Sequence, residues 1–279
     1  MNTKVVSFSS GKGGVGKTSL AVNLGSLLAA RGKNVLLIDG DWSLGKLGIA
    51  LGIRPQWTIE SVLSEKITLR EAVLPVTEHL SLLASPSGLV GFEELCEGAR
   101  HQLYFEMSSL KGHYDYILLD HGSGVHPGVL DFAAASHHQI VVTTPEPTSY
   151  TDAYAIMKIL SKKYAVRNFA LVVTMAPVGD ETEMVVARFC DVARSHLDIR
   201  VTLLETFPWE PKLAEAFRKQ KAFVNLWPGS PFTAKLGKLA DRIGSLPPSL
   251  SSGMQFFQGF DESPASDTAS YERDDLCQA

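Results

Sequence analysis

The chain has 279 residues, 45% hydrophobic and 20% charged, with a formal net charge of −4 at pH 7. That length suits one large α/β domain, and the composition is that of a globular protein rather than a disordered or fibrous one. The slight negative balance gives no global reason to expect nucleic-acid binding; Cys96, Cys190 and Cys277, without a C-x-x-C pair, read as reduced thiols and argue against iron–sulfur chemistry.

No run approaches the ~18 apolar residues of a membrane span, and an apolar strand begins almost at once, leaving no room for a signal peptide. A cytoplasmic protein is expected. The first strand is the run Val5-Val6-Ser7-Phe8, and Gly11-Lys12-Gly13-Gly14-Val15-Gly16-Lys17-Thr18-Ser19 follows it directly. Glycines this dense let the backbone curl and turn consecutive N–H groups inward, toward phosphate oxygens. Lys17 supplies a positive charge near the outer phosphates, and the Thr18 hydroxyl suits a Mg²⁺ ion. The apolar spacing over 19–30 predicts the helix whose N-terminus adds aligned N–H groups at the same spot.

Arg31-Gly32-Lys33 stops that helix, and residues 34–39 form an unbroken apolar strand ending in a carboxylate. Further strands are expected over 80–84, 116–120, 139–144, 169–174 and 201–205, and helices over 92–110, 129–135, 149–163, 181–196, 211–219 and 231–243. Continuous apolar strands alternating with helices predict a doubly wound, mostly parallel sheet with helices on both faces, the P-loop NTPase architecture. Ligands of such sheets bind at the carboxyl ends of the strands, where the polar motifs fall. Asp39-Gly40-Asp41 either holds a metal shell and orients an attacking water, or is a solvated turn. Asp120 closes the strand Tyr116-Ile117-Leu118-Leu119 and is placed to hold Mg²⁺ through water; Gly122 and Gly124 behind it permit a switch that approaches the terminal phosphate. His121 between them is bulky and ordinarily titrates near neutral pH. Val141-Val142-Thr143-Thr144-Pro145-Glu146-Pro147 reads as a buried strand and a stiff loop, with Thr148 or Ser149 able to cap the next helix.

The form G-K-G-G-x-G-K-[ST] resembles the deviant phosphate-binding loop of the MinD/ParA/nitrogenase-iron-protein class. The resemblance implies that ATP and Mg²⁺ fill the site and that Lys12 reaches across a dimer interface to the other subunit's nucleotide, the alternative being a solvated loop lysine. It also implies that Asp41 polarises the attacking water, while Asp39 supports magnesium or its waters. The class's usual D-T-G-A-G is here D-H-G-S-G, so His121 is either a tolerated substitution or a regulatory one. The stretch T-T-P-E-P-T-S-x-T-D-A-Y over 143–154 is similar to the flagellar branch, the FlhG/FleN ATPases that control flagellar number and placement. The likeness covers roughly residues 3–245 and implies a homodimer when ATP-bound, slow hydrolysis, and a partner that is an SRP-type GTPase, a transcription activator or a flagellar basal-body protein. Stimulation of a GTPase is not expected, because the branch's N-terminal D-Q-A element is missing from this sequence. Thr174 and Met175 stand where the class shows Asn-Arg at the adenine, and Phe207-Pro208-Trp209-Glu210 resembles its P-x-D segment, which makes Thr174, Pro208 and Glu210 the implied base contacts. Phe207 and Trp209 read as packing residues.

Basic residues outnumber acidic ones over 212–242. A solvated helix pair explains them better than a ParA-like DNA surface, since no aromatic interleaving accompanies them. The domain is expected to span 1–245, and composition then shifts to a Gly/Ser/Pro linker and an acidic tail over 246–279. Its aromatic segment, 254–260, leaves three readings open: contact with the inner face of the cell membrane, docking on a partner or on its own domain, or disorder. Two rival functions share these motifs, a non-hydrolysing anti-activator of a transcription regulator and a ParA-like partitioning ATPase.

Overall fold

The computed structural model describes residues 3–41, 45–85, 97–177, 179 and 181–247. In chain order the elements are β1 (Lys4–Ser10), α1 (Lys17–Ala30), β2 (Val35–Gly40), α2 (Leu47–Leu51), α3 (Ile59–Leu63), α4 (Leu69–Ala72), β3 (Leu74–Thr77), β4 (Leu80–Leu83), α5 (Glu97–Ser108) and β5 (Tyr116–Ser123). They continue with α6 (Pro127–Ala135), β6 (His138–Thr143), α7 (Pro147–Tyr164), β7 (Asn168–Ala176), α8 (Glu181–Leu197), β8 (Arg200–Pro208), α9 (Lys212–Arg218), α10 (Phe223–Leu226) and α11 (Pro231–Ser245).

The strands form one sheet in the order β3-β4-β2-β5-β1-β6-β7-β8, parallel throughout except for the antiparallel edge pair β3–β4. Strand residues alternate between two buried faces, which is why the strands read as unbroken apolar runs. In β2, Val35 and Leu37 pack with α1 and α11 on one face, while Leu36 and Ile38 pack with α3, α4, α5 and α6 on the other. Helices α6, α7 and α8 cover the second face over β6 and β7. The doubly wound sheet with helices on both faces is therefore as expected.

The central strand β1 lies between β5 and β6, with Phe8 in register with both Asp120 and Ile140. Asp39 of β2 is in register with Asp120 of β5. These pairings bring the ends of β1, β2 and β5, and so the loop after Ser10, to one edge.

Several details differ from the sequence expectation. The edge strand β3 and the short helices α2, α3, α4 and α10 were not anticipated, being too short to carry a periodic signal. Helix α7 starts at Pro147, with Glu146 at its N-cap, instead of being capped by Thr148 or Ser149. The ring of Pro147 suits the first helical turn, where no N–H is needed. Ser149 instead ties the helix to the end of β6, its Oγ 2.8 Å from Thr143 Oγ1 and accepting from Thr144 N at 3.0 Å. Part of the helix expected over 92–110 and all of the aromatic segment 254–260 lie outside the described residues.

Candidate nucleotide-binding site

The loop between β1 and α1 has the backbone its glycines predict. Gly14 and Gly16 take positive φ, 78° and 91°, where a side chain would be strained. Gly11 is required for space: a Cβ there would fall 2.4 Å from the Cβ of Asp152 on α7. Lys17 opens α1 and is buried, its Nζ donating to Ser10 Oγ at 2.5 Å. Burial lowers the lysine pKa, and Asp120 works against that shift. A buried cation beside a glycine-rich loop at a helix N-terminus suits an anion such as phosphate. Thr174, at the end of β7, braces the loop from the side, its Oγ1 lying 2.6 Å from Val15 O and 3.2 Å from Thr143 O.

Three carboxylates stand at this sheet edge. Asp39 is buried; its Oδ1 accepts from Asp41 N at 3.1 Å, and its Oδ2 accepts from Lys46 N at 2.7 Å and Leu47 N at 2.9 Å. It thus holds the start of α2. Burial, then the neighbouring Asp120, raise its pKa to about 7 against those three hydrogen bonds. Asp120 is also buried and raised to about 6, chiefly by burial, with the Thr18 hydroxyl and Lys17 opposing. Its Oδ1 has no hydrogen-bond partner. An orphaned buried acceptor beside the Thr18 hydroxyl fits a hydrated divalent cation, and Mg²⁺ characteristically takes one or two carboxylates with waters and phosphate oxygens. Among the described residues no group of three His, Cys, Asp or Glu is placed to hold a metal ion on its own. Asp41 sits at the outer side, its Oδ2 2.6 Å from Lys46 Nζ, and its carbonyl accepts from Ser85 Oγ at 2.9 Å.

His121 is buried, and that burial, with Lys17 nearby, holds its pKa down at about 3. The imidazole is therefore neutral at physiological pH, and the near-neutral titration expected from its residue type is removed by its position. Gly124 follows with φ 105°, and its N–H donates to Ser10 O at 2.9 Å, so the segment after β5 closes against the loop after β1.

Beside the loop opens a cavity of about 470 Å³, bordered by Gly14, Gly16, Thr174, Met175, Pro208, Trp209, Glu210, Leu213 and Phe217. It is within the range of small-molecule pockets. All three residues implied as base contacts, Thr174, Pro208 and Glu210, line it, but Thr174 spends its hydroxyl on the loop and Glu210 Oε1 accepts from Lys212 N at 3.1 Å. The two aromatic neighbours divide. Phe207 is 1% exposed and packs on Phe232, ring centroids 5.0 Å apart, as expected of a packing residue. Trp209 is 66% exposed and is not core.

A family model described as an AAA domain matches residues 3–171, more than half of the sequence. The chain belongs to the AAA domain family. Within it, the sequence is 28% identical over 244 residues to the antiactivator FleN of Pseudomonas aeruginosa, covering 88% of this chain and 87% of that protein. It is 27% identical over 245 residues to the flagellum site-determining protein YlxH of Helicobacter pylori, covering 88% and 83%. Among solved structures, MinD in the MinC:MinD cell division complex of Aquifex aeolicus matches with a TM-score of 0.69 and 28% identity, over 88% of this chain and 97% of that one. The MinD/ParA-type resemblance, with its flagellar branch, is borne out.

For this AAA domain chain the structure adds residues that motif reading did not single out. Lys46 pairs with Asp41, and Ser10 receives Lys17; neither stands in a recognisable motif, and no signal in the sequence marks them. Lys12 pairs with Glu146 on the rim, both partly exposed. Glu146 was within reach of inference, because it sits in the T-T-P-E-P loop at the edge the topology assigns to ligands.

Proposed function

We propose that this chain is an ATP- and Mg²⁺-dependent dimerising switch that hydrolyses ATP slowly and regulates flagellar number or placement through a protein partner. The observation that carries the reading is the pairing of a complete phosphate loop, Lys17 buried beneath it, with a buried, unsatisfied Asp120 oxygen beside Thr18. The backbone N–H groups of residues 11–19 and Lys17 bind the phosphates. Thr18 and Asp120 hold Mg²⁺, with Asp39 keeping α2 and the adjoining turn in place; the ion, when bound, neutralises charge on the phosphate oxygens.

Asp41 orients the attacking water, and its ion pair with Lys46 is exchanged as the site fills. Lys12 and Glu146 lie on the exposed rim, so Lys12 is free to trade its intramolecular partner for the neighbouring subunit's nucleotide. The names of FleN and YlxH support a flagellar role, and the word antiactivator favours a transcription activator as partner. DNA is disfavoured by the ion pairing within the basic stretch: Lys219 pairs with Glu215, and Lys235 and Arg242 share Glu205. No helix among the described residues is long and apolar enough to cross a membrane. A peripheral location would then rest on the stretch after α11, most of which lies outside the described residues.

The test combines light scattering with phosphate release in saturating Mg-ATP. The wild type is expected to be dimeric with slow turnover, Asp41→Ala dimeric without turnover, and Lys17→Ala monomeric with nucleotide binding lost. A wild-type monomer in saturating ATP would sink the dimer switch, and a dimer that releases no phosphate would favour the non-hydrolysing anti-activator.

A further inference from the structure

We propose that Lys46 is a tethered counter-ion of the empty site: its ammonium supplies positive charge among Asp39, Asp41 and Asp120, opposes Mg²⁺ alone, and yields to Mg²⁺ only when nucleotide is present. The inference rests on the nucleotide-binding reading above and names what couples metal entry to nucleotide entry in that site.

Asp39 and Asp120 are in register on neighbouring strands, each 1% exposed, and Asp41 follows at the same edge. Carboxylates gathered out of water need positive charge nearby. Two lysines stand close, and they are committed differently. Lys17 is buried, and its Nζ donates to Ser10 Oγ at 2.5 Å. Lys46 bridges both acids of the Asp39-Gly40-Asp41 turn, its main-chain N–H donating to Asp39 Oδ2 at 2.7 Å and its Nζ to Asp41 Oδ2 at 2.6 Å. The hydrogen bond to Asp41 raises the lysine pKa against partial burial, and the charges of Asp41, Asp120 and Asp39 add to the rise. One ammonium therefore serves all three carboxylates.

The two ends of Lys46 differ in freedom. Its backbone is fixed, because it stands at the N-cap of α2 and is held by the buried Asp39. Its side chain is 46% exposed, on a flexible four-carbon stem, so the ammonium can turn into water while the backbone stays. The unpartnered Oδ1 of Asp120, beside Thr18, is where a divalent cation fits, and Lys46 already puts positive charge there. Like charges in a partly buried site repel strongly and are poorly screened by salt. Lys46 therefore opposes the metal while the phosphate loop is empty. Phosphates bring negative charge of their own, which offsets the metal's, and the ammonium is then released from Asp41 to water.

The experiment uses Mn²⁺, which shares the oxygen-ligand preference of Mg²⁺ and is read directly by electron paramagnetic resonance. It is titrated into the full chain, nucleotide-free and saturated with ATP, for wild type, Lys46→Met, Lys46→Gln and Lys46→Arg. Without nucleotide, both neutral variants are expected to bind Mn²⁺ about tenfold more tightly than wild type, and Lys46→Arg to match wild type. Adding Asp120→Asn to Lys46→Met is expected to abolish the gain. With ATP bound, wild type and the three single variants are expected to hold Mn²⁺ within about threefold of one another. Neutral variants that bind Mn²⁺ no more tightly than wild type without nucleotide would overturn the inference. So would a gain that survives Asp120→Asn, or one equally large with ATP bound. Those outcomes leave the nucleotide-binding reading standing, whereas a wild type that fails to bind ATP with Mn²⁺ present removes that reading and this inference with it.

Discussion

Thr174 shows how one hydroxyl can do structural work at a ligand site. It supplies Val15 O, inside the phosphate loop, from a different strand. Thr174→Val keeps the shape and removes the donor, leaving a buried carbonyl short of a partner. A loss of about 1–3 kcal/mol in folding stability is expected, read as a lower denaturant midpoint, together with weaker nucleotide binding. At this scale the sequence was legible where chemistry depends on residue type and spacing: Gly14, Gly16, Lys17 and Asp120 all stand where the motif places them. It was not legible where depth or the end of an element decides. Phe207 and Trp209 share strand parity, yet one is buried and the other 66% exposed, because β8 ends at Pro208 and Trp209 lies beyond it. His121 likewise lost its expected titration to burial.

Elements were read well where they are long. Strands β1, β2, β4, β5, β6, β7 and β8 and all the long helices fall at or near their expected places, since a sheet covered on both faces needs unbroken apolar runs. Strand β3 escaped because its residues alternate between half-buried and exposed and include Pro75, which suits only an edge. Helix α2 escaped for a different reason. Its five residues have no periodicity to detect, and its start is fixed from a distance by Asp39, eight positions before Leu47. Helix α11 is the opposite case, with its own local signal. Ser230 accepts from Thr233 N at 3.1 Å, and Pro231 opens the first turn. Ser230→Ala is expected to cost about 1 kcal/mol, seen as a lower melting temperature. Nucleotide affinity should stay close to wild type, because Ser230 does not line the cavity.

The molecule as a whole carries buried titratable groups of opposite sense. Asp39 and Asp120 hold protons in the folded state up to about pH 7 and 6, which the unfolded chain releases near 3.8. Both therefore disfavour folding as pH rises through 4 to 6. His121 and His138 do the reverse. Burial depresses them to about 3 and about 4 from 6.5, so the stability each contributes is present above pH 6.5 and lost as pH falls toward those values. Across pH 4–6 the two pairs largely offset each other, and removing one histidine exposes the imbalance. The stability of wild type relative to His138→Asn is expected to fall as pH drops from 6.5 toward 4, by up to about 1.4 kcal/mol per pH unit. Denaturant melts of the two proteins across that range check the slope and its sign.

The strand order also has a consequence for how the protein comes into being. Strand β1 is the first made by the ribosome and the middle one in the finished sheet, yet Lys4 pairs with Tyr116, and Val6 with His138. Val5, Val6 and Phe8 therefore wait without a strand on either side until β5 and then β6 have been synthesised. Such long-range pairing slows folding and prolongs the exposure of apolar strand edges, which favours a holdase on the nascent chain. The phosphate loop is translated before both of the strands that flank β1. A chain stopped short of β6 therefore has its phosphate-binding motif in full, with β1 paired on the β5 side alone.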